Sequence, residues 1–317
     1  MRISFCGGGT DIRDYYEKYG GAVTSTTIDK YMYIIVNERF DGDIRLGYSR
    51  TEIVDHVDKI KHPLLKEGMN AAGVTGKVEI LSMADIPSKG SGLGGSSSFV
   101  VGLLNALHSF KGEFKSVNYL AEKACEIEID LLKEPIGKQD QYASAFGGLN
   151  HIRFNENESV FVEPIICSKE TKKKLFGNLM LFYTGMTSEA RTVLKGQKEN
   201  IGKNVEVLKK MKSLAVKSRD ALLNNSLNDF GELLHENWEL KKRLASNISN
   251  RTINDYYENA KKAGAVGGKL CGSGNGGFLL FYVEPENQDS VRDKLKSLRE
   301  EKFTFEPQGT KIIYVEE

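Results

Sequence analysis

The chain has 317 residues, room for two modest domains or one large one, and 40% of them are hydrophobic, enough for a real core. Lys plus Arg number 44 against 43 for Asp plus Glu, a balance that argues against a basic nucleic-acid footprint. No apolar run approaches the ~20 residues of a membrane span, no signal peptide is visible, and Cys6, Cys125, Cys167 and Cys271 are scattered without a C-x-x-C pair, so neither a zinc site nor a disulfide framework is expected and a reducing cytoplasm is.

Taken in order, residues 2–6 read as a strand running into Gly7-Gly8-Gly9-Thr10-Asp11. Residues 31–37 form a second strand pattern, and 77–83 a third by alternation of polar and apolar residues. Residues 87–98, Pro-Ser-Lys-Gly-Ser-Gly-Leu-Gly-Gly-Ser-Ser-Ser, follow. Behind them Phe99, Val100, Leu103, Leu104 and Leu107 recur at helical spacing, with Ser96 or Ser97 expected as the N-cap or a first-turn residue. A helix is expected over 117–132, ended by Glu134-Pro135-Ile136-Gly137. Lys138-Gln139-Asp140-Gln141-Tyr142 and the pair Gly147-Gly148 come next, then a polar turn at 155–158 between two strands. Residues 168–174 look charged and weakly structured, and the domain boundary is expected there: 1–172 and 173–317. The second half opens with a strand at 178–183 and turns helical at 205–223, 227–245 and 252–263. A third glycine-rich stretch at 264–277 leads into a strand at 278–283, a helix at 288–300 and a last strand at 311–315. Strands and helices mixed in this irregular order imply two α+β layers.

The stretch before the helix at 99 is the most informative. Glycines allow positive φ and close approach to the main chain, and the free N–H groups at a helix start favour an anion, phosphate above all. The dipole supplies only about 0.3–2 kcal/mol, so several oriented N–H donors must carry much of the binding. No G-x-x-x-x-G-K-[ST] and no kinase H-R-D or D-F-G set occurs, so a nucleotide site here is of neither kind. Alone, Asp140 reads as a turn cap, and Glu128 as a solvated helix residue among Glu122, Glu126 and Asp130.

Three motifs together resemble the GHMP small-molecule kinases, the superfamily of galactokinase, homoserine kinase, mevalonate kinase and phosphomevalonate kinase. Residues 2–11 look like the substrate-side motif, 87–98 like Pro-x-x-x-Gly-Leu-Gly-Ser-Ser, and 268–277 like the C-terminal glycine motif. The resemblance implies an N-terminal domain like domain 2 of ribosomal protein S5 and a ferredoxin-like C-terminal domain. It implies that ATP lies on Lys89, Gly90, Ser91, Gly92, Leu93, Gly94, Gly95, Ser96 and Ser97. Glu128 lies twelve residues before Asp140, as in galactokinase-like members, and would bind Mg²⁺ with the hydroxyl of Ser96 or Ser97. Asp140 would be the catalytic carboxylate. Arg2, nine residues before Asp11, would steady the transferring phosphoryl. Gly8, Gly9, Thr10, Asp11, Lys138, Gly274 and Asn275 would face the acceptor. Gly95 departs from the motif, standing where its first serine usually does.

Within the superfamily the 7–11 motif, the stretches 15–30 and 137–148, and Trp238-Glu239-Leu240-Lys241-Lys242 are most similar to heptose 7-phosphate kinases of bacterial surface-polysaccharide synthesis. These phosphorylate an anomeric hydroxyl, so the expected partner is a small sugar phosphate, with no nucleic acid and no membrane. Lys138, Arg191 and Lys242 are candidates from position to hold the sugar's phosphate. The alternatives are a kinase for a free sugar such as L-fucose or galactose, a non-catalytic sugar- or nucleotide-binding regulator, and a decarboxylase of mevalonate-diphosphate type.

Overall fold

The computed structural model describes residues 1–87, 90–187 and 190–315. In chain order the elements are β1 (Arg2–Cys6), α1 (Arg13–Tyr19), β2 (Gly21–Thr27), β3 (Met32–Glu38), β4 (Ile44–Gly47), β5 (Thr51–Val54), α2 (Pro63–Ala72), β6 (Val78–Ala84), α3 (Gly95–Phe110), α4 (Val117–Cys125), α5 (Gln139–Phe146), β7 (Leu149–Phe154) and β8 (Val160–Pro164). They continue with α6 (Lys169–Asn178), β9 (Leu179–Tyr183), α7 (Ala190–Glu199), α8 (Val205–Leu223), α9 (Leu227–Lys242), α10 (Arg251–Lys262), β10 (Ala265–Leu270), β11 (Phe278–Val283), α11 (Pro285–Lys294) and β12 (Arg299–Glu300).

Three four-stranded sheets result. The first, β1-β2-β7-β8, is antiparallel throughout. The second, β3-β6-β4-β5, contains one parallel pair, β4 with β6. The third runs β12-β9-β11-β10, all antiparallel, with α7–α10 between β9 and β10 and α11 between β11 and β12. That is the βαββαβ pattern of a ferredoxin-like layer. Strands of the first two sheets end at Pro164 and those of the third begin at Leu179. The proposed division between residues 172 and 173 falls inside α6.

Two cores hold the layers. Phe99, Val100, Leu103, Leu104 and Leu107 of α3 are buried with Ile80 and Phe154. The second core joins the halves: Ile3 and Phe5 of β1 pack with Phe230, Leu234 and Trp238 of α9 and with Leu270 and Phe281. Phe5 meets Phe230 edge to face, centroids 5.0 Å apart. The strand carrying Arg2 is thereby welded to the helix carrying Lys241. Among the described residues no helix is long and apolar enough to cross a membrane.

Several expectations are corrected. The helix expected over 117–132 is α-helical only to Cys125; residues Glu126–Leu131 form a π turn, where Leu132 N–H reaches back to Ile127. Apolar spacing does not separate the two, because one extra residue per turn barely shifts the pattern. Residues 168–174 are not weakly structured: Ser168 accepts from Thr171 N–H and caps α6. Part of the third glycine stretch is strand β10, where Gly267 and Gly268 lie too close to Gly231 and Leu280 for any side chain. The helix expected over 288–300 instead spans Pro285–Lys294, begun by proline at its first turn. Residues 311–315 pair with no strand; Ile313, Tyr314 and Val315 lie exposed. Of the two places open to Ser96 and Ser97 the structure takes the first turn of α3, whose N-cap is Gly94, left-handed at φ 73°.

Candidate active site

Gly94 ends a loop whose backbone donors are free. Among the described residues no carbonyl or side chain accepts from the N–H groups of residues 92–97. They crowd the start of a sixteen-residue helix, the arrangement that holds phosphate oxygens. The loop is braced from behind. Gly92 packs on the carbonyl of Cys271 and on Gly272, and Gly277 on Ser91, so the second and third glycine motifs touch with no room for a Cβ. Leu93 points into the core and Ser91 is buried; their contribution to the loop is backbone. Lys89 lies outside the described residues.

Arg2 and Asp140 meet beside Gly94. The guanidinium forks onto the carboxylate, Nε to Oδ1 at 2.7 Å and Nη2 to Oδ2 at 2.8 Å, while Nη1 donates to Gly92 O at 2.8 Å. The Arg2 side chain is 4% exposed and that of Asp140 26%. Burial works against the Arg2 cation, but the charge and hydrogen bonds of Asp140 outweigh it and raise its pKa. A third contact is steric: a Cβ on Gly94 would stand 3.2 Å from Arg2 Cγ and 3.6 Å from Asp140 Cγ.

Glu128 sits in the π turn, 1% exposed. Its Oε1 accepts from Ser96 Oγ at 2.8 Å, and its Oε2 from Ser97 Oγ at 2.7 Å and Gln141 Nε2 at 2.6 Å. Burial pushes its carboxyl up to about 7, against the pull of those donors, and the charge of Asp140 adds to the rise. Both serines thus engage the carboxylate. Ser96 is exposed at the cradle and Ser97 is buried beneath it.

On the acceptor side Asp11 is buried. Its Oδ1 accepts from Gly9 N at 2.9 Å and Gln139 Nε2 at 3.1 Å, its Oδ2 from Gln139 N at 3.2 Å. Burial raises its carboxyl above the ordinary range, while the Gly9 N–H pulls it back. Gly137 lies directly under it: a Cβ there would stand 2.0 Å from Asp11 Oδ2. Thr10 does not face an acceptor. Its hydroxyl, fully buried, has its one proton within reach of both Gly7 O (2.8 Å) and Ala22 O (2.9 Å) and accepts from Ala22 N (3.1 Å), which latches the loop to β2. Gly8 and Gly9 are half-buried. Over Gly8 stand Ser4 Oγ and Gln139 Oε1, two buried polar atoms without a partner among the described residues.

The remaining expected contacts are pinned elsewhere. Gly274 packs on Ile248; Asn275, exposed at φ 59°, donates its N–H to Ile248 O and accepts from Asn250 Nδ2. Lys138 pairs with Glu158 at 3.1 Å and lies over the Tyr16 ring. Lys242 pairs with Glu239 at 2.7 Å, and exposed Arg191 lies 3.7 Å from Glu134.

Sequence reasoning missed Gln139, Gln141 and Gly137. The first turn of α5 reads Gln139-Asp140-Gln141, and these three consecutive residues hold Asp11, Arg2 and Glu128 in turn. The alternation of amide, acid and amide was the available signal.

An anion cradle beside an arginine-clamped carboxylate is what phosphoryl transfer to a hydroxyl requires. Family models agree: "GHMP kinases N terminal domain" matches residues 57–148 and "GHMP kinases C terminal" matches 218–300. The chain is 32% identical to the D-glycero-alpha-D-manno-heptose 7-phosphate kinase of Campylobacter jejuni over 98% of this chain and 96% of that protein. It belongs to the GHMP kinases, whose members use ATP as phosphate donor, and has their two-domain fold. A solved structure described as a D-glycero-D-manno-heptose 1-phosphate kinase from Bacteroides thetaiotaomicron superposes with a TM-score of 0.82 at 28% identity, covering 98% of this chain and 95% of that one. The L-fucokinase/L-fucose-1-P guanylyltransferase of Bacteroides fragilis is 26% identical over 92% of this chain but only 35% of its own length.

Proposed function

We propose that this kinase transfers the γ-phosphoryl of ATP to the C1 hydroxyl of D-glycero-D-manno-heptose 7-phosphate, giving the 1,7-bisphosphate for a bacterial surface polysaccharide. The bidentate Arg2–Asp140 pair beside the free N–H groups of residues 92–97 is the observation that supports the transfer. The full-length similarity to a heptose 7-phosphate kinase supports the acceptor.

In this reading ATP phosphates accept from the N–H groups of residues 92–97. Asp140 takes the hydrogen bond of the acceptor hydroxyl and holds its oxygen in line with the phosphorus. As the new O–P bond forms, the bond from phosphorus to the ADP oxygen breaks, and the hydroxyl proton passes to Asp140. Arg2 balances the charge of Asp140 and of the passing phosphoryl. A site of one carboxylate and hydroxyls, completed by ligand phosphates, suits Mg²⁺. Glu128 and the exposed Ser96 would hold it, and when bound it neutralises the phosphate oxygens. Gly8, Gly9 and Asp11 shape the acceptor side.

The test is kcat/KM for D-glycero-D-manno-heptose 7-phosphate against the free heptose, L-fucose and galactose, with phosphorus NMR of the product. We expect the phosphorylated heptose to win by about 10²-fold, the gain of one charged anchor, with the new phosphate on the anomeric carbon. Equal or better turnover of a free sugar overturns the acceptor, and a new phosphate at another carbon overturns the position.

A further inference from the structure

Three buried cations lie close together: Arg2 on β1, Lys269 on β10 and Lys241 on α9. Arg2 is answered by Asp140. Lys269 of β10, fully buried, donates to the carbonyls of Ser4 and Phe5 and clamps the strand. Lys241 of α9 is different. It is 6% exposed, and among the described residues its ammonium reaches a single acceptor, Gly272 O, and no carboxylate. An ammonium has three N–H donors, so two are unspent. A buried cation without a counter-charge is costly, which makes the place receptive to an anion.

Its surroundings say which anion. Asn237, one turn earlier on the same face of α9, accepts from Gly7 N at 3.1 Å, and its buried Nδ2 has no partner. That face of α9 therefore lines the 7–11 loop. Gly272, the acceptor of Lys241, packs on Gly92 of the cradle. The ammonium thus stands where the acceptor loop, the cradle and the third glycine loop meet. The charged and titratable groups facing it are Lys269, Cys271, Arg2 and Asp11. Nucleotide phosphates have the 92–97 amides and the passing phosphoryl has Arg2. Among the described residues, the three cations expected for the acceptor's phosphate are turned elsewhere, Lys138, Lys242 and Arg191 facing Glu158, Glu239 and Glu134.

We propose that Lys241 anchors the phosphate already carried by the acceptor, its two unspent N–H donors taking phosphate oxygens while Gly272 holds the third. This rests on the reading that the acceptor is a sugar phosphate. Burial and neighbouring Lys269 bring the Lys241 ammonium down to about 7, so in mildly alkaline solution an arriving dianion also draws in a proton.

The experiment is a cycle that removes the lysine and the substrate phosphate separately and together. Wild type and Lys241→Gln are each assayed on D-glycero-D-manno-heptose 7-phosphate and on the free heptose. We expect Lys241→Gln to lose about 10²-fold in kcat/KM on the phosphorylated sugar and less than about threefold on the free one, with Lys241→Arg recovering part of the loss. Equal losses on both sugars would overturn the assignment while leaving the sugar-phosphate reading intact. A wild type without preference for the phosphorylated sugar overturns that reading, and the anchor with it. Should Lys241→Gln fail to fold, calorimetric titration of the wild type at pH 8 in two buffers of different ionisation heat decides. Proton uptake with heptose 7-phosphate and none with the free heptose supports the anchor; no uptake with either overturns it.

Discussion

Gly94 illustrates how a missing side chain can organise charged ones. It caps α3 at positive φ, and Arg2 and Asp140 close over the space a Cβ would fill. Gly94→Val and Asp140→Asn should therefore fail differently. Asp140→Asn keeps the cradle and should bind ATP as before while turnover falls by about 10²–10⁴-fold. Gly94→Val strains the cap and pushes Arg2 and Asp140 apart, so ATP affinity and turnover should fall together, each by at least about tenfold. Nucleotide titration beside steady-state turnover separates the two. A folded Gly94→Val protein with unchanged ATP affinity removes the cradle. At this scale the family resemblance pointed to Arg2, Asp140 and Glu128, and the structure pairs Arg2 with Asp140 and Glu128 with Ser96. Gln139, Gln141 and Lys241 were not legible. An amide or a lysine is ordinary on any surface, and what marks these three is burial against a particular partner, which no local pattern encodes. Thr10 erred the other way, because hydroxyl chemistry alone does not say whether its partner is a ligand or the backbone of β2.

Among elements, the strands at 2–6, 31–37, 77–83, 178–183 and 278–283 were read from alternation or apolar runs, whereas β2, β4, β5, β10 and β12 were not, and the strand expected at 311–315 does not form. The π turn was missed, and with it the reason Glu128 turns inward. Strand pairing also sets a pH response. His151 of β7 lies beside Thr24 of β2, with Nδ1 3.1 Å from Thr24 Oγ1. That hydroxyl gives its proton to Ala215 O at 2.7 Å, so Nδ1 must be the donor to it and Nε2 is left bare and buried. Burial, with Arg219 and Arg153 nearby, brings the imidazole down to about 4. The unfolded chain then takes up a proton near pH 6.5 while the folded one resists until about 4. Stability is complete above about 6.5 and falls as the solution is acidified through that window, by up to about 3 kcal/mol. In urea melts between pH 7 and 4.5, His151→Gln should lose less stability than wild type. Parallel losses would show that His151 does not govern the acid limb.

The whole molecule is closed by residues 303–310, which return from the third sheet to the first. Glu306 O accepts from Thr27 Oγ1 at 2.6 Å and from Gly148 N at 3.3 Å, and Thr310 N donates to Ser144 O at 2.9 Å. Gly147 stands so close to Gln308 and Gly309 that neither contact tolerates a side chain. This strap grips the C-terminal end of α5, whose first turn carries Asp140. Ending the chain at residue 302 should cost several kcal/mol, from bonds of about 0.5–1.5 kcal/mol each plus the packing of Phe305 on Phe176. It should also lower turnover more than ATP affinity. Thermal melts and turnover of the shortened chain test this; unchanged turnover would show that α5 needs no grip. The three glycine motifs were visible one by one, but their stacking and this strap join residues far apart in sequence, which periodicity does not report.

The strap also sets an order of events. Thr27 and Glu306 are 279 positions apart, and a chain leaves the ribosome from its N-terminus. Arg2, Glu128 and Asp140 are all made long before the segment that grips α5, the helix that carries Asp140. A nascent chain can thus carry Arg2, Glu128 and Asp140 before it has the segment that braces α5. Chains that end before residue 303 should accordingly accumulate with lowered turnover, even though Arg2, Glu128 and Asp140 are all present in them.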